Sequence, residues 1–211
     1  MWILRRTSRT NVLTEQNKIT LSKLTGHFRT ITHHRHIVMK ECFRLGLYRQ
    51  GLLHDLSKYS PSEFWVGVRY YTGKESPNNG ERRATGYSSA WLHHKGRNKH
   101  HYEYWIDYST REIKGGIKPV RMPLKYVCEM FCDRVAASKV YLGSEYNKTD
   151  PLNYFLSGNT GRFMHPDTAS LLERYLRLLA DEGEDAAFGQ IREELEKAKW
   201  TNRNSKKQDA K

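Results

Sequence analysis

Residues Ile31–Leu45 read "ITHHRHIVMKECFRL". Ile31, His34, Val38, Cys42 and Leu45 fall at i, +3, +7, +11 and +14, which is one stripe of an α-helix. His34 stands on that stripe among apolar neighbours. His33 and His36 fall off it and read as surface residues. Gly46 supplies a stop. The helical period recurs outward from here, and no segment sustains the two-residue alternation of a strand, so the chain is expected to be an all-α helical bundle.

The next stretch, "YRQGLLHDLSKY" (Tyr48–Tyr59), reads as a short second helix whose apolar end carries His54 and Asp55 inward. "SPSEF" (Ser60–Phe64) has the form of a helix start, with Ser60 as N-cap, Pro61 in the first position and Glu63 as the capping-box partner. Residues 72–88 are rich in Gly, Pro and Asn and read as a long loop. A helix carrying "AWLHHK" begins near Ser88, and "IKGGIKPVRMP" is a second loop. Pro123 opens a helix with Tyr126, Met130, Asp133, Ala137 and Val140 on one stripe, so that Asp133 points with the core. A helix from about Pro166 carries Leu171, Leu172, Tyr175, Leu178 and Leu179, and a last one runs from about Asp185 to Trp200. Residues 1–20 read as a polar lead-in, 21–200 as a single domain and 201–211 as a disordered tail.

Composition bounds the setting. At 211 residues the chain has room for one domain with a real core. It holds no run near the ~20 apolar residues of a membrane span. The N-terminus lacks the apolar region of a secretory signal. Three cysteines, Cys42, Cys128 and Cys132, are too few for a disulfide framework and suit a reducing cytoplasm. The formal net charge of +13 favours anionic partners: nucleotides, phosphoesters or nucleic acid. The plainer reading of that charge is a basic, solvated surface.

Four positions need partners once buried: His34, the doublet His54-Asp55, the histidines from His93 to His101, and Asp133. Each is a metal-ligand type, and a mixed imidazole and carboxylate set suits Mn, Fe, Co, Ni or Zn. One histidine of His93/His94 and one of His100/His101 complete the set, with His94 and His101 favoured. Rival readings stand beside each. His34 reads otherwise as a satisfied core histidine, His54-Asp55 as a helix cap or partner of Arg134, and Asp133 as half of a helix ion pair with Arg134. Cys128 and Cys132 read as small core residues. Trp91, Tyr102, Tyr104, Trp105 and Tyr108 read as core before they read as base-stacking platforms.

His34, His54-Asp55 and Asp133, with "LLHDLSK" and "FCDRVAASK" around the last two, resemble the HD-domain superfamily of metal-dependent phosphohydrolases. The resemblance implies an HD-domain-like helical bundle. It also implies metal ligands at His34, His54, Asp55, His94, His101 and Asp133, which hold one or two divalent ions, and a catalytic Asp55 that orients the attacking water. Lys58, three residues past the doublet, joins it as a catalytic candidate. Lys95, Arg97 and Lys99 are candidates to hold substrate phosphate. The implied activity is hydrolysis of a nucleotide or other phosphoester. Two alternatives remain: a di-iron oxygenase of the same superfamily, and a non-catalytic binder of nucleic acid or protein with a structural metal. From about His27 to Leu179 the chain is also similar to a family of small bacterial and phage proteins with no assigned function.

Overall fold

The structure, a computed structural model, describes residues 18–109 and 116–208, with side chains as far as residue 201. The lead-in over residues 1–17 and the loop over 110–115 lie outside the described residues. The fold is all-α: nine α-helices and one small sheet are present among the described residues. None of these helices is long and apolar enough to cross a membrane.

Helix α1 is Leu21–Arg44. Its expected stripe is buried at every position from Ile31 to Leu45, while His33 and His36 are exposed. It ends in a Schellman motif. Gly46 takes a left-handed φ of 67°, its N–H bonds the Phe43 carbonyl, and the Leu47 N–H reaches back to Cys42. Helix α2 (Tyr48–Leu53) turns Gly51 inward, where a Cβ would stand 3.1 Å from the Met39 carbonyl. Leu52 and Leu53 are each about half exposed, so the apolar pair before the doublet does not enter a core.

The chain divides into two compact units, one of residues through His34 with Asp55–Asn98, the other of Arg35–His54 with Lys99 onward. The expectation was a single domain over 21–200.

In the first unit, α3 (Pro61–Tyr70) packs against α4 (Pro77–Thr85) and α5 (Ser89–Lys95). Helix α4 lies inside the segment read as a loop. Ser76-Pro77 starts it and Gly86, at φ 87°, stops it. Its Glu81 is buried and accepts hydrogen bonds from the Ser88 and Ser89 hydroxyls, each at 2.6 Å. That polar tie holds a helix whose sequence shows almost no apolar face. Ser88 caps α5 through the Trp91 N–H.

In the second unit, α6 (Leu124–Leu142) buries Val127, Cys128, Phe131, Cys132, Val135 and Ala136 completely. The expected stripe is displaced from this face, and Met130 alone among its members is buried. Helix α7 is Asp150–Gly158, and α8 (Pro166–Glu182) packs on both α6 and α7 with Leu172, Tyr175, Leu176 and Leu179. Helix α9 runs from Glu184 to Gln208 against α8, so the segment expected to be a disordered tail is helical through Gln208. Strands β1 (Ile106–Tyr108) and β2 (Ile117–Pro119) pair antiparallel, three residues each, between α5 and α6 in the chain.

Candidate metal centre

In the first unit the donors gather around one carboxylate. His54 is extended, and Asp55 follows in the left-handed region at φ 53°. Aspartate tolerates that region better than most side chains, at a small local cost. The bend carries the Asp55 side chain inward, where it is almost wholly buried. Its Oδ2 lies 4.0 Å from His34 Nε2 and 2.7 Å from Lys58 Nζ, and its Oδ1 lies 3.2 Å from His94 Nε2. Lys58 reaches back because a 3₁₀ turn, Leu56–Tyr59, follows Asp55 directly.

Glu63 adds a member that the sequence reading assigned to a helix cap. Ser60 makes no side-chain cap bond. Glu63 is buried and accepts from His93 Nδ1 at 2.6 Å and His94 Nδ1 at 2.7 Å. Burial pushes the Glu63 pKa up, but the bonds from His94 and His93 outweigh it and leave the group more acidic than usual. Burial lowers the His94 pKa. The charge of Asp55 and the hydrogen bonds to Asp55 and Glu63 outweigh that and raise it.

In the second unit, Glu129 plays the corresponding part. It is buried in α6, and its Oε1 accepts from His54 Nδ1 at 3.0 Å and His100 Nδ1 at 3.2 Å. Burial again raises its pKa, and the two imidazoles more than reverse the shift. His54 Nε2 lies 3.5 Å from Asp133 Oδ1. Ligand atoms of His54, His100 and Glu129 all stand within 4.8 Å of one another. His100 is buried, and its ring centroid is 4.1 Å from that of half-buried His101.

The expected ligands therefore fall into two sets: His34, Asp55 and His94 in one unit, His54 and Asp133 in the other. His101 stands beside His100. Lys95 is half-buried at the end of α5. Arg97 and Lys99 are exposed, with Arg97 on the His93 carbonyl at 3.4 Å and Lys99 over the Tyr104 ring at 5.6 Å. Trp105 and Tyr102 pack against the core, while Tyr104 and Tyr108 are exposed. Cys128 and Cys132 are free thiols in the core.

The sequence reading missed Glu63, Glu129 and His27. His27 is buried between the rings of Phe64 and Tyr71, and burial followed by the Lys58 charge pushes its pKa down to about 4. Its signal was present: His27 lies seven residues before His34, on the same helix face. Glu129 sits in "CEMFC", where a carboxylate among core residues was the clue.

An all-α chain whose buried His, Asp and Glu groups can hold a metal ion is what the fold and site define. The chain belongs to DUF5662, a family of unknown function, which it matches over residues 23–178. No curated protein and no solved structure matches it.

Proposed function

We propose that the chain is a metal-dependent phosphohydrolase of the HD type that acts on a nucleotide or another phosphoester. The observation that carries this reading is the buried Asp55 carboxylate, with imidazole nitrogens of His34 and His94 and the Lys58 ammonium gathered on it. The donor chemistry fits a divalent transition metal. Two neighbouring ligands at ~2.0–2.2 Å from one ion stand about 3–3.5 Å apart. His94 Nε2 with Asp55 Oδ1, at 3.2 Å, and His54 Nε2 with Asp133 Oδ1, at 3.5 Å, have that spacing. Each set can by itself hold a divalent ion such as Mn, Fe, Co, Ni or Zn, with His100 or His101 joining the second, so that the chain takes one or two ions.

When bound, such an ion makes its water acidic and draws electron density from a phosphoryl oxygen. The chain's own groups do the rest. Asp55 accepts a hydrogen bond from the attacking water and orients it. Lys58, at 2.7 Å from Asp55, brings a positive charge to the place where phosphate charge develops. Lys95, Arg97 and Lys99 supply cations for the remainder of an anionic substrate, in keeping with the net charge of +13. Three free, buried thiols suit a reducing compartment such as the cytoplasm.

The test is a panel of nucleotides and phosphodiesters with Mn²⁺ or Co²⁺, run beside oxygen uptake by the Fe²⁺-loaded protein. Phosphate release abolished by Asp55→Ala and cut roughly 100-fold by Lys58→Ala is expected. Oxygen consumption without phosphate release would transfer the case to the oxygenase. Neither activity, with nucleic-acid binding lost in a Lys95/Arg97/Lys99 variant and a shallower salt slope, would make the chain a binder.

A further inference from the structure

We infer that Glu63 and Glu129 are positioning residues: they hold the imidazoles of His94, and of His54 and His100, with the proton on Nδ1, and so commit each Nε2 lone pair to a metal. The inference rests on the metal-dependent reading above. It also assigns His100, which the sequence reading ranked below His101, to the ligand set.

An ionised carboxylate accepts hydrogen bonds and donates none. A glutamate is ordinarily ionised at neutral pH, and Glu63 and Glu129 are each approached by two imidazole nitrogens. Every imidazole nitrogen bonded to them must therefore carry hydrogen. Those nitrogens are all Nδ1: His93 and His94 on the two oxygens of Glu63, His54 and His100 on Oε1 of Glu129. In a neutral imidazole a proton on Nδ1 leaves Nε2 as the basic atom; in His94 that atom faces Asp55 Oδ1 at 3.2 Å, so it holds a proton toward Asp55 until a metal takes its place. His94 Nδ1 has two longer neighbours, the Ser57 hydroxyl at 3.2 Å and the Asn98 amide nitrogen at 3.1 Å. The Asn98 amide already donates to Ser57 Oγ at 2.8 Å and to the His94 carbonyl at 2.9 Å. Glu63, at 2.7 Å, is the acceptor that decides.

A carboxylate on the far nitrogen of a metal-ligating histidine fixes the tautomer, locks the ring plane and raises the basicity of the ligating nitrogen. Here each carboxylate serves two rings. The two pairs differ in one useful way. His93 is partly exposed, whereas both rings on Glu129 are buried.

The experiment is nitrogen-15 NMR of the histidine side chains at about pH 8, where an unperturbed imidazole is neutral, without metal and with Zn²⁺. It is run beside Zn²⁺ titration of the Glu63→Ala, Glu63→Gln, Glu129→Ala and Glu129→Gln variants. Nδ1 is expected to be protonated in His54, His94 and His100 of the wild type. The alanine variants should weaken Zn²⁺ roughly 10- to 100-fold. The glutamine variants should recover most of it. In Glu129→Gln the amide oxygen can replace Oε1 for both rings. In Glu63→Gln the amide can turn its oxygen to His94 and its nitrogen to His93. A Zn²⁺-loaded wild type with Nε2 protonated in any of the three rings overturns the inference, as do alanine variants that bind Zn²⁺ like the wild type. If an alanine variant fails to fold, the wild-type tautomers still decide. A wild type that takes up no Zn²⁺ but shows the three Nδ1 protons would sink the metal reading and leave the hold of the two carboxylates standing.

Discussion

At the scale of single residues, the first unit shows why close contact and conformation matter more than composition. Gly67 lies where a Cβ would stand 2.2 Å from His27 Nε2, and His27 is itself enclosed by Phe64 and Tyr71. Gly67→Ala gains about 1 kcal/mol of helix propensity. It also forces a buried ring to move, and overpacking costs roughly 1–3 kcal/mol. The ring is buried against Phe64 and Tyr71, so the variant should be net destabilised, with a lower melting temperature. An unchanged or higher one would show that His27 can move aside. Sequence made His34, His54, Asp55 and Asp133 legible because each combines a polar type with an inward period or a motif. It hid Glu63 because "SPSEF" satisfies a capping pattern equally well, and only the tertiary partners His93 and His94 decide between the two uses.

Among the elements, α1 was legible from Ile31 to its end, since its apolar stripe, its off-stripe histidines and its glycine stop all agree. Helix α6 was not. Its apolar residues spread over more than one face, so a stripe through Tyr126 and Met130 fits the period as well as the true one through Val127 and Phe131. Helix α4 was lost because its burial is polar, through Glu81. Polar ties also join α1, α6 and α9 within the second unit. Buried Glu41 accepts from Lys139 at 2.7 Å and from Arg44 at 2.8 Å, and Glu184 accepts from Lys139 at 3.0 Å and from Arg44 at 3.2 Å. Lys139→Met removes a donor from buried Glu41 and should cost about 1–3 kcal/mol by urea unfolding. The pH dependence follows. Burial raises the Glu184 pKa, but Lys139 and Arg44 outweigh that and hold it below the ordinary 4.5. Its contribution is therefore complete above about pH 4.5 and is lost as pH falls through the depressed folded value. The wild type should lose stability over that acid range more steeply than Lys139→Met. Equal slopes would mean that Glu184 gains nothing from the lysine.

For the whole molecule, the all-α class followed from periodicity alone, but the two units did not. Their boundaries fall at His34/Arg35, inside a continuous helix, at His54/Asp55, inside the motif, and at Asn98/Lys99, inside the basic stretch over residues 95–99. No glycine-rich or charged linker marks the first two places. The run of α9 to Gln208 was likewise masked by the polar composition of residues 201–211. The central claim, that the buried histidines and carboxylates serve a metal, is tested most directly by elemental analysis of the purified chain beside its Asp55→Ala, His54→Ala and His94→Ala variants. We predict that the wild-type chain carries one or two divalent ions, and that Asp55→Ala, His94→Ala and His54→Ala each lower the metal content, with helical circular dichroism retained in all. A wild-type chain that carries no divalent metal and takes none up on dialysis, or one whose metal content is unchanged by Asp55→Ala, would contradict it.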